Sequence, residues 1–323
     1  MEIFKGLKTY HFMENKLYAL IISVILVLSS YALLATKGLN FGVDFAGGTI
    51  VQVKYSNTAP IDKMRDQLKT NPIFDGSSIT EFGSPDEVVI RLKGSSTSVT
   101  NDLGDVTREA LNGTGEYEIR RVDIVGPKVG NELREKGVMS LLLAMAGILM
   151  YVAFRFEWRF AIASIVALVH DISIALGMIA LFQIDVNLDV LAALLTILGY
   201  SLNDTIIVFD RIREGITNSK SIELSDVINE SVTKTLSRTT LTSLTTFFVV
   251  LTLFIWGGEI IHPFAFTLLV GVVVGTYSSI FVASPVLIWF GFDIRSYRGK
   301  LAEKQKRANE RDKMRSEFEQ GTV

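Results

Sequence analysis

Residues 199–214 read Gly-Tyr-Ser-Leu-Asn-Asp-Thr-Ile-Ile-Val-Phe-Asp-Arg-Ile-Arg-Glu. This stretch places an amide, Asn203, and a carboxylate, Asp204, inside an otherwise apolar helix. About two turns later the helix runs into a charged cluster, Asp210, Arg211, Arg213 and Glu214. A carboxylate at membrane depth costs roughly 2.5–3.5 kcal/mol on insertion scales. Acids kept there at that cost mark ion or proton routes.

The rest of the chain supplies the membrane context. Of 323 residues, 49% are hydrophobic and only 20% are charged, and the mean hydropathy is +0.36. That balance belongs to a multi-span membrane protein. Six segments are long and apolar enough to cross a hydrocarbon core of ~30 Å, near Leu17–Thr36, Val138–Phe154, Phe160–Phe182, Val190–Phe209, Thr239–Trp256 and Phe264–Phe290. The second and fifth are short and are expected to extend at their outer ends. The first is read as an uncleaved anchor, since no Ala-x-Ala site follows it. There is no cysteine, which excludes disulfides and thiol chemistry, and His11, His170 and His262 show no ligand spacing. No metal and no cofactor is expected.

Lys and Arg set the expected orientation. Lys5, Lys8 and Lys16 precede the first span, Arg155 and Arg159 lie between the second and third, and Arg211, Arg213, Lys220, Lys234 and Arg238 lie between the fourth and fifth. Basic residues recur from Arg295 to Arg315, whereas Gln183–Asp189 and Gly257–Pro263 contain none. Both termini (residues 1–16 and 291–323) are therefore expected in the cytoplasm, and residues 37–136 outside.

That outer region has turn-rich, mixed-charge sequence. Thr49–Tyr55 reads as a strand, Ile61–Thr70 as a helix, Ser78–Phe82 and Glu87–Leu92 as strands joined by Gly83-Ser84-Pro85-Asp86, Ser98–Leu111 as a second helix, and Glu116–Ile124 as a last strand. The order βαββαβ predicts an α+β ferredoxin-like domain. The whole is thus read as an α-helical polytopic membrane protein of six spans, with that domain between the first two. Before the first strand, Asp44, Gly47 and Gly48 read as a tight structural turn rather than a phosphate loop, because no Lys-Ser/Thr follows.

Polar groups inside the spans are the candidate site. Asp204 lies six residues from Asp210, roughly 9 Å of helix rise, so it falls in the cytoplasmic third. Asn203 and Ser201 offer oxygens beside it. Arg238 opens the fifth span and either pairs with Asp204 as a protonation switch or simply reaches to the interface. His170 and Asp171 lie near the middle of the third span, where they either relay protons or pack against polar neighbours. In the sixth span Gly271 and Gly275 form a G-x-x-x-G, for packing within the chain or against a partner. Ile222–Leu236, within a cytoplasmic segment 211–238, suits an amphipathic helix at the inner membrane surface. The tail reads as a solvated, charge-alternating end.

Several motifs, in order along residues 10 to 290, resemble the SecD/SecF family of the resistance-nodulation-division superfamily. They are Gly42–Thr49 (GVDFAGGT), Val125–Gly130 (VGPKVG), Phe154–Arg159 (FRFEWR), His170-Asp171, Gly199–Glu214 and Ser237–Ser243 (SRTTLTS). The resemblance implies a protein-export subunit of the bacterial inner membrane, working with SecD beside the SecYEG channel, with YajC and YidC as further partners. It implies that Asp204 is the intramembrane acid of the ion route and Arg238 its matching arginine. A proton or sodium gradient would then drive motion of the periplasmic domain that promotes polypeptide translocation. No internal repeat is seen, so this six-span chain is one half of a two-half transporter. No enzyme activity is expected. Half of a small-molecule exporter and a non-conducting scaffold remain as alternatives.

Overall fold

The computed structural model describes residues 9–93, 103–218, 221 and 223–319. Lys5, Lys8, Lys220, Ile222 and the expected helix start at 98–102 lie outside the described residues. Among the described residues, six helices are long and apolar enough to span a membrane. The spans run Lys16–Thr36, Pro127–Arg155, Trp158–Phe182, Leu188–Asn218, Leu224–Trp256 and Gly258–Trp289. In the third and sixth, 56% of the most apolar window is buried, against 11–17% in the first, second and fifth. The third and sixth, with the fourth at 44%, are therefore the centre of the bundle, and the first, second and fifth present apolar flanks outward.

Two expected boundaries are corrected. The second span begins at Pro127, so the division expected at residue 136 falls inside a helix. Pro127 stands at the first helical position after Gly126, where its missing N–H costs nothing. The next turns are charged, with Lys136 bonded to Glu132 at 2.7 Å, so they are helical without being apolar. The fifth span extends at the end away from the domain, back to Leu224, not at its outer end. The segment read as an amphipathic surface helix is thus its first part. Val227, Ile228 and Val232 are buried with Phe209, Ile212 and Ile216 of the fourth span and with Met13. Asn229 Oδ1 accepts the Met13 N–H at 2.9 Å, which ties the N-terminal strap to the same face. Protein, not lipid headgroups, covers that apolar stripe.

The sixth span is continuous but contains one widened π turn at Ser279–Ala283. Pro285 follows one residue beyond it. It has no N–H to return to the preceding turn, and the wider turn absorbs that deficit.

The domain between the first two spans is a four-stranded sheet in the order β2-β3-β1-β4. The strands are β1 (Gly48–Tyr55), β2 (Ser78–Phe82), β3 (Ser84–Lys93) and β4 (Tyr117–Val125), and every neighbouring pair is antiparallel. This is the ferredoxin-like arrangement. Alternation puts Val51, Val53 and Tyr55 of β1 under the two helices Ile61–Lys69 and Leu103–Ala110, with Val88, Ile90, Met64, Leu68 and Leu103 closing the core.

Four contacts seat the domain on the bundle. Gly42 N–H donates to Val186 O and Val186 N–H to Asn40 O, both at 2.8 Å, which fastens the domain entrance to the loop between the third and fourth spans. Asp44 Oδ2 accepts the Leu188 N–H at 3.0 Å and so caps the fourth span. Next, the short helix Val43–Ala46 and its Gly47 lie against the start of the second span. Finally, Glu81–Pro85 of the β2–β3 hairpin faces Trp256–Ile260, the turn joining the fifth and sixth spans.

Gly47 has φ +77°, and a Cβ there would sit 2.9 Å from the Pro127 Cα. Gly130 returns the approach, with its Cβ position 2.9 Å from Phe45 O. Gly47→Val therefore combines left-handed strain with a backbone clash. It is expected to destabilise the seat of the domain by about 2–4 kcal/mol. Faster limited proteolysis between residues 37 and 60 in the purified variant is the readout; wild-type resistance would contradict the seating.

Candidate functional site

The fourth span carries Ser201, Asp204 and Thr205 on its buried face. Asp204 is fully buried, and its Oδ2 accepts the Ser243 hydroxyl of the fifth span at 3.2 Å. Ser243 in turn accepts the Thr276 hydroxyl of the sixth span at 2.7 Å. One turn before Ser243, Thr239 has a buried hydroxyl, and neither it nor Oδ1 of Asp204 has a hydrogen-bond partner among the described residues. The acid thus sits in an oxygen-rich pocket between three spans, half-satisfied.

A second polar node lies beside it. Asp171 of the third span is also fully buried. Its Oδ2 accepts the hydroxyls of Ser201 at 2.5 Å and Ser278 at 2.8 Å, and its Oδ1 lies 2.8 Å from Nδ1 of His170. Glycines make the approach possible. A Cβ on Gly275 would stand 3.0 Å from Ser201 Cβ, and one on Gly271 would overlap Ile197. The G-x-x-x-G of the sixth span therefore packs on the fourth span of the same chain, so no partner subunit is needed to occupy it.

Neither Asn203, its neighbour in sequence, nor Arg238 of the fifth span meets Asp204. Successive positions on a helix point about 100° apart, and Asn203 is exposed while Asp204 is buried. Arg238 is exposed too, and makes no ion pair among the described residues. It lines an open groove of about 450 Å³ with Tyr151, Arg155, Asp210, Glu214 and Lys234. Ser243, five residues further along the same helix, is the fifth-span group that meets the acid. The charged cluster does come together: Arg213 bonds Asp210 at 2.9 Å, Arg211 bonds Glu214 at 2.5 Å, and Arg155 of the second span reaches Asp210 at 3.4 Å. The guanidiniums of Arg155 and Arg213 each lie 5.2 Å from the Phe156 ring centre.

Ser243, Thr239, Thr276 and Ser278 carry no strong signal in the sequence as site residues. The available signal was the i, i+4 pair Thr239/Ser243 on a lipid-length helix, since hydroxyls at that spacing share one face.

Six spans around buried acids, with one α+β domain between the first two, define a multi-pass membrane protein of transporter architecture. Residues 106–293 match the C-terminal region of protein export membrane protein SecD/SecF, and residues 32–59 match the SecD/SecF GG motif. The chain belongs to the SecD/SecF family, among its SecF protein translocase subunits. It is 48% identical to protein translocase subunit SecF of Helicobacter pylori strain J99 over 323 residues, covering 100% of both chains. It is 44% identical to that of Vibrio alginolyticus over 306 residues, 94% of this chain and 97% of the other. The crystal structure of SecDF from Thermus thermophilus, a translocon-associated membrane protein, is similar with a TM-score of 0.77 at 33% identity over 90% of this chain. SecDF in its super-membrane-facing form is similar with a TM-score of 0.68 at 34% identity over 93% of this chain. The chain spans 39% and 40% of those two solved chains. The family membership and the fold together give this protein its role in Sec-dependent export.

Proposed function

We propose that this subunit couples ion flow to export through Asp204. One observation carries the reading: a fully buried carboxylate with a bare oxygen, in a bundle that supplies no interior cation. Between Asp189 and Asp210 the fourth span has no other charge, and between Arg238 and Glu259 the fifth has none. An ion arriving at Asp204 neutralises it and relaxes its hold on Ser243; its departure restores the bond. The fifth and sixth spans meet at the turn under the β2–β3 hairpin, so a shift of either reaches the domain. One charge falling through about 150 mV releases roughly 3.5 kcal/mol. That is enough to move a two-state equilibrium from about 1:20 to 20:1. The coupling is mechanical and uses no bond chemistry and no cofactor.

The reading places the protein in a bacterial inner membrane, termini in the cytoplasm and the sheet domain in the periplasm, where it holds an emerging polypeptide against backsliding. The second half of the transporter is a SecD subunit, and the pair works beside SecYEG, with YajC and YidC. Ala192, Thr196, Gly199 and Asn203 form an exposed small and polar stripe on the fourth span. Such a stripe suits a helix of SecD better than lipid, and Arg238 opens onto the same flank. Gly199→Trp is expected to reduce co-purification with SecD several-fold while leaving insertion intact; unchanged recovery would remove that surface from consideration.

The direct test is export into membrane vesicles under a proton gradient or a sodium gradient, imposed separately. Stimulation by one of them supports coupling, and its absence under both leaves the chain as a scaffold.

A further inference from the structure

His170 and Asp171 form a polar site that coupling at Asp204 does not use. They are 5% and 0% exposed, in the middle of the third span. Asp171 accepts two hydroxyl donors on Oδ2, so it acts there purely as an acceptor. An ionised Asp171 has only acceptors to offer, which puts the ring proton on Nδ1 of His170, 2.8 Å from Oδ1. That leaves Nε2 as a bare lone pair. It is buried and has no hydrogen-bond partner among the described residues. The ring lies against Tyr277, with centroids 6.0 Å apart, and the Tyr277 hydroxyl is turned away to donate to Ala19 O.

The surroundings contain no fixed positive charge at this depth. The first span is uncharged between Lys16 and Lys37, the second between Lys136 and Arg155, and the sixth between Glu259 and Asp293. The fourth contributes one acid, Asp204, and the fifth contributes no charge beyond Arg238 at its far end. The other titratable groups at this level are Tyr31, bonded to Ser173, Tyr200 and Tyr277. His262 lies near the domain-side end of the sixth span. With a neutral ring the pair therefore carries one uncompensated negative charge in the bundle interior. A single proton on Nε2 turns it into a neutral, hydrogen-bonded ion pair.

Hydroxyls lead from this node towards the first. Ser201, on Asp171, precedes Asp204 by three residues on the fourth span. Ser278, also on Asp171, follows Thr276 by two on the sixth, and Thr276 reaches Asp204 through Ser243.

We propose that His170 and Asp171 are a second proton-binding site, which takes one proton on Nε2 of His170 and lies in series with Asp204. The ligand is a proton and not a metal cation, because the open group is a single imidazole nitrogen and no group of three His, Cys, Asp or Glu side chains that could share a metal stands together among the described residues. The use of this proton in transport rests on the coupling role of Asp204; its binding does not.

The test is nitrogen NMR of the full chain in lipid bilayers, with only its histidines labelled. There are three, and the His170 signals are those lost in His170→Asn. The expected result is a ring with Nδ1 protonated and Nε2 bare in alkaline samples, which becomes doubly protonated across the range from alkaline to acid samples. In Asp171→Asn, proton affinity should drop about tenfold or more, since the paired negative charge is gone. Ser278→Ala keeps the charge, removes one competing donor, and should hold or raise the affinity; it serves if Asp171→Asn does not fold. A His170 ring whose protonation never changes over that range, or that titrates alike with and without the Asp171 carboxylate, overturns the site. In vesicles, His170→Asn should flatten the pH profile of gradient-driven export. A wild-type profile there, with Asp204→Asn inactive, would defeat the series arrangement and leave coupling at Asp204 standing. A titrating His170 with fully active Asp204→Asn would do the reverse.

Discussion

Asp204→Asn is expected to insert, to bind its SecD partner, and to lose all gradient-dependent stimulation of export. The amide matches the carboxylate in shape and can still accept the Ser243 hydroxyl. It cannot change charge. The switch it removes is worth roughly 3.5 kcal/mol at about 150 mV, so the two-state bias collapses from a several-hundred-fold range to none. Export in energised vesicles should fall to the level seen without a gradient. Ser243→Ala gives the graded counterpart. It keeps the charge but cuts the direct link from the acid to the fifth span, so stimulation should fall partially. Full stimulation in Asp204→Asn, with an intact gradient, would falsify the coupling reading and favour a scaffold.

The switch and its surroundings were unequally legible in the sequence. Spans are read from runs of apolar residues, and all six stand where those runs are. Their ends are not, because hydropathy stops at the first charges while backbone hydrogen bonding does not. That is why the second span reaches back to Pro127 through Lys128, Glu132 and Lys136, and the fifth back to Leu224 through Asn229 and Lys234. The strands of the domain were readable from period-two alternation, as in Val51, Val53 and Tyr55. The acid itself announces its cost. Its partners do not, because Ser243 and Thr276 are ordinary helix residues until two other helices bring them together. Adjacency in sequence misled at Asn203, where one step of helix turns a side chain from the core to the surface. At Arg238 two readings were open, and the residue takes the interface one, since a charge at a span end has water to reach and gains little by entering the bundle.

Gly275→Val is expected to harm the bundle and its polar node together. At this position the sixth span approaches the fourth so closely that a bare Cβ already stands 3.0 Å from Ser201 Cβ and 3.4 Å from its Cα. A β-branched side chain has one strongly preferred χ1 rotamer in a helix, so the fourth span must move away. The displaced residue is Ser201, which donates at 2.5 Å to Asp171. Overpacking alone costs about 1–3 kcal/mol, and a buried carboxylate deprived of a donor adds about 1.5–3 kcal/mol. The sum, about 2.5–6 kcal/mol, approaches the stability of a whole domain. The variant should therefore unfold well below wild type when heated in detergent, and should be recovered poorly from membranes. Gly275→Ala is the informative control, because a lone Cβ at 3.0 Å asks its neighbour to give by only a few tenths of an ångström. It should fold, with a modest loss of thermal stability, and should report whether loosening Ser201 alone weakens gradient-driven export. If Gly275→Val melted like wild type, the fourth and sixth spans could not lie as close as this geometry requires, and the bridge from Asp171 to the helix of Asp204 would be lost with them.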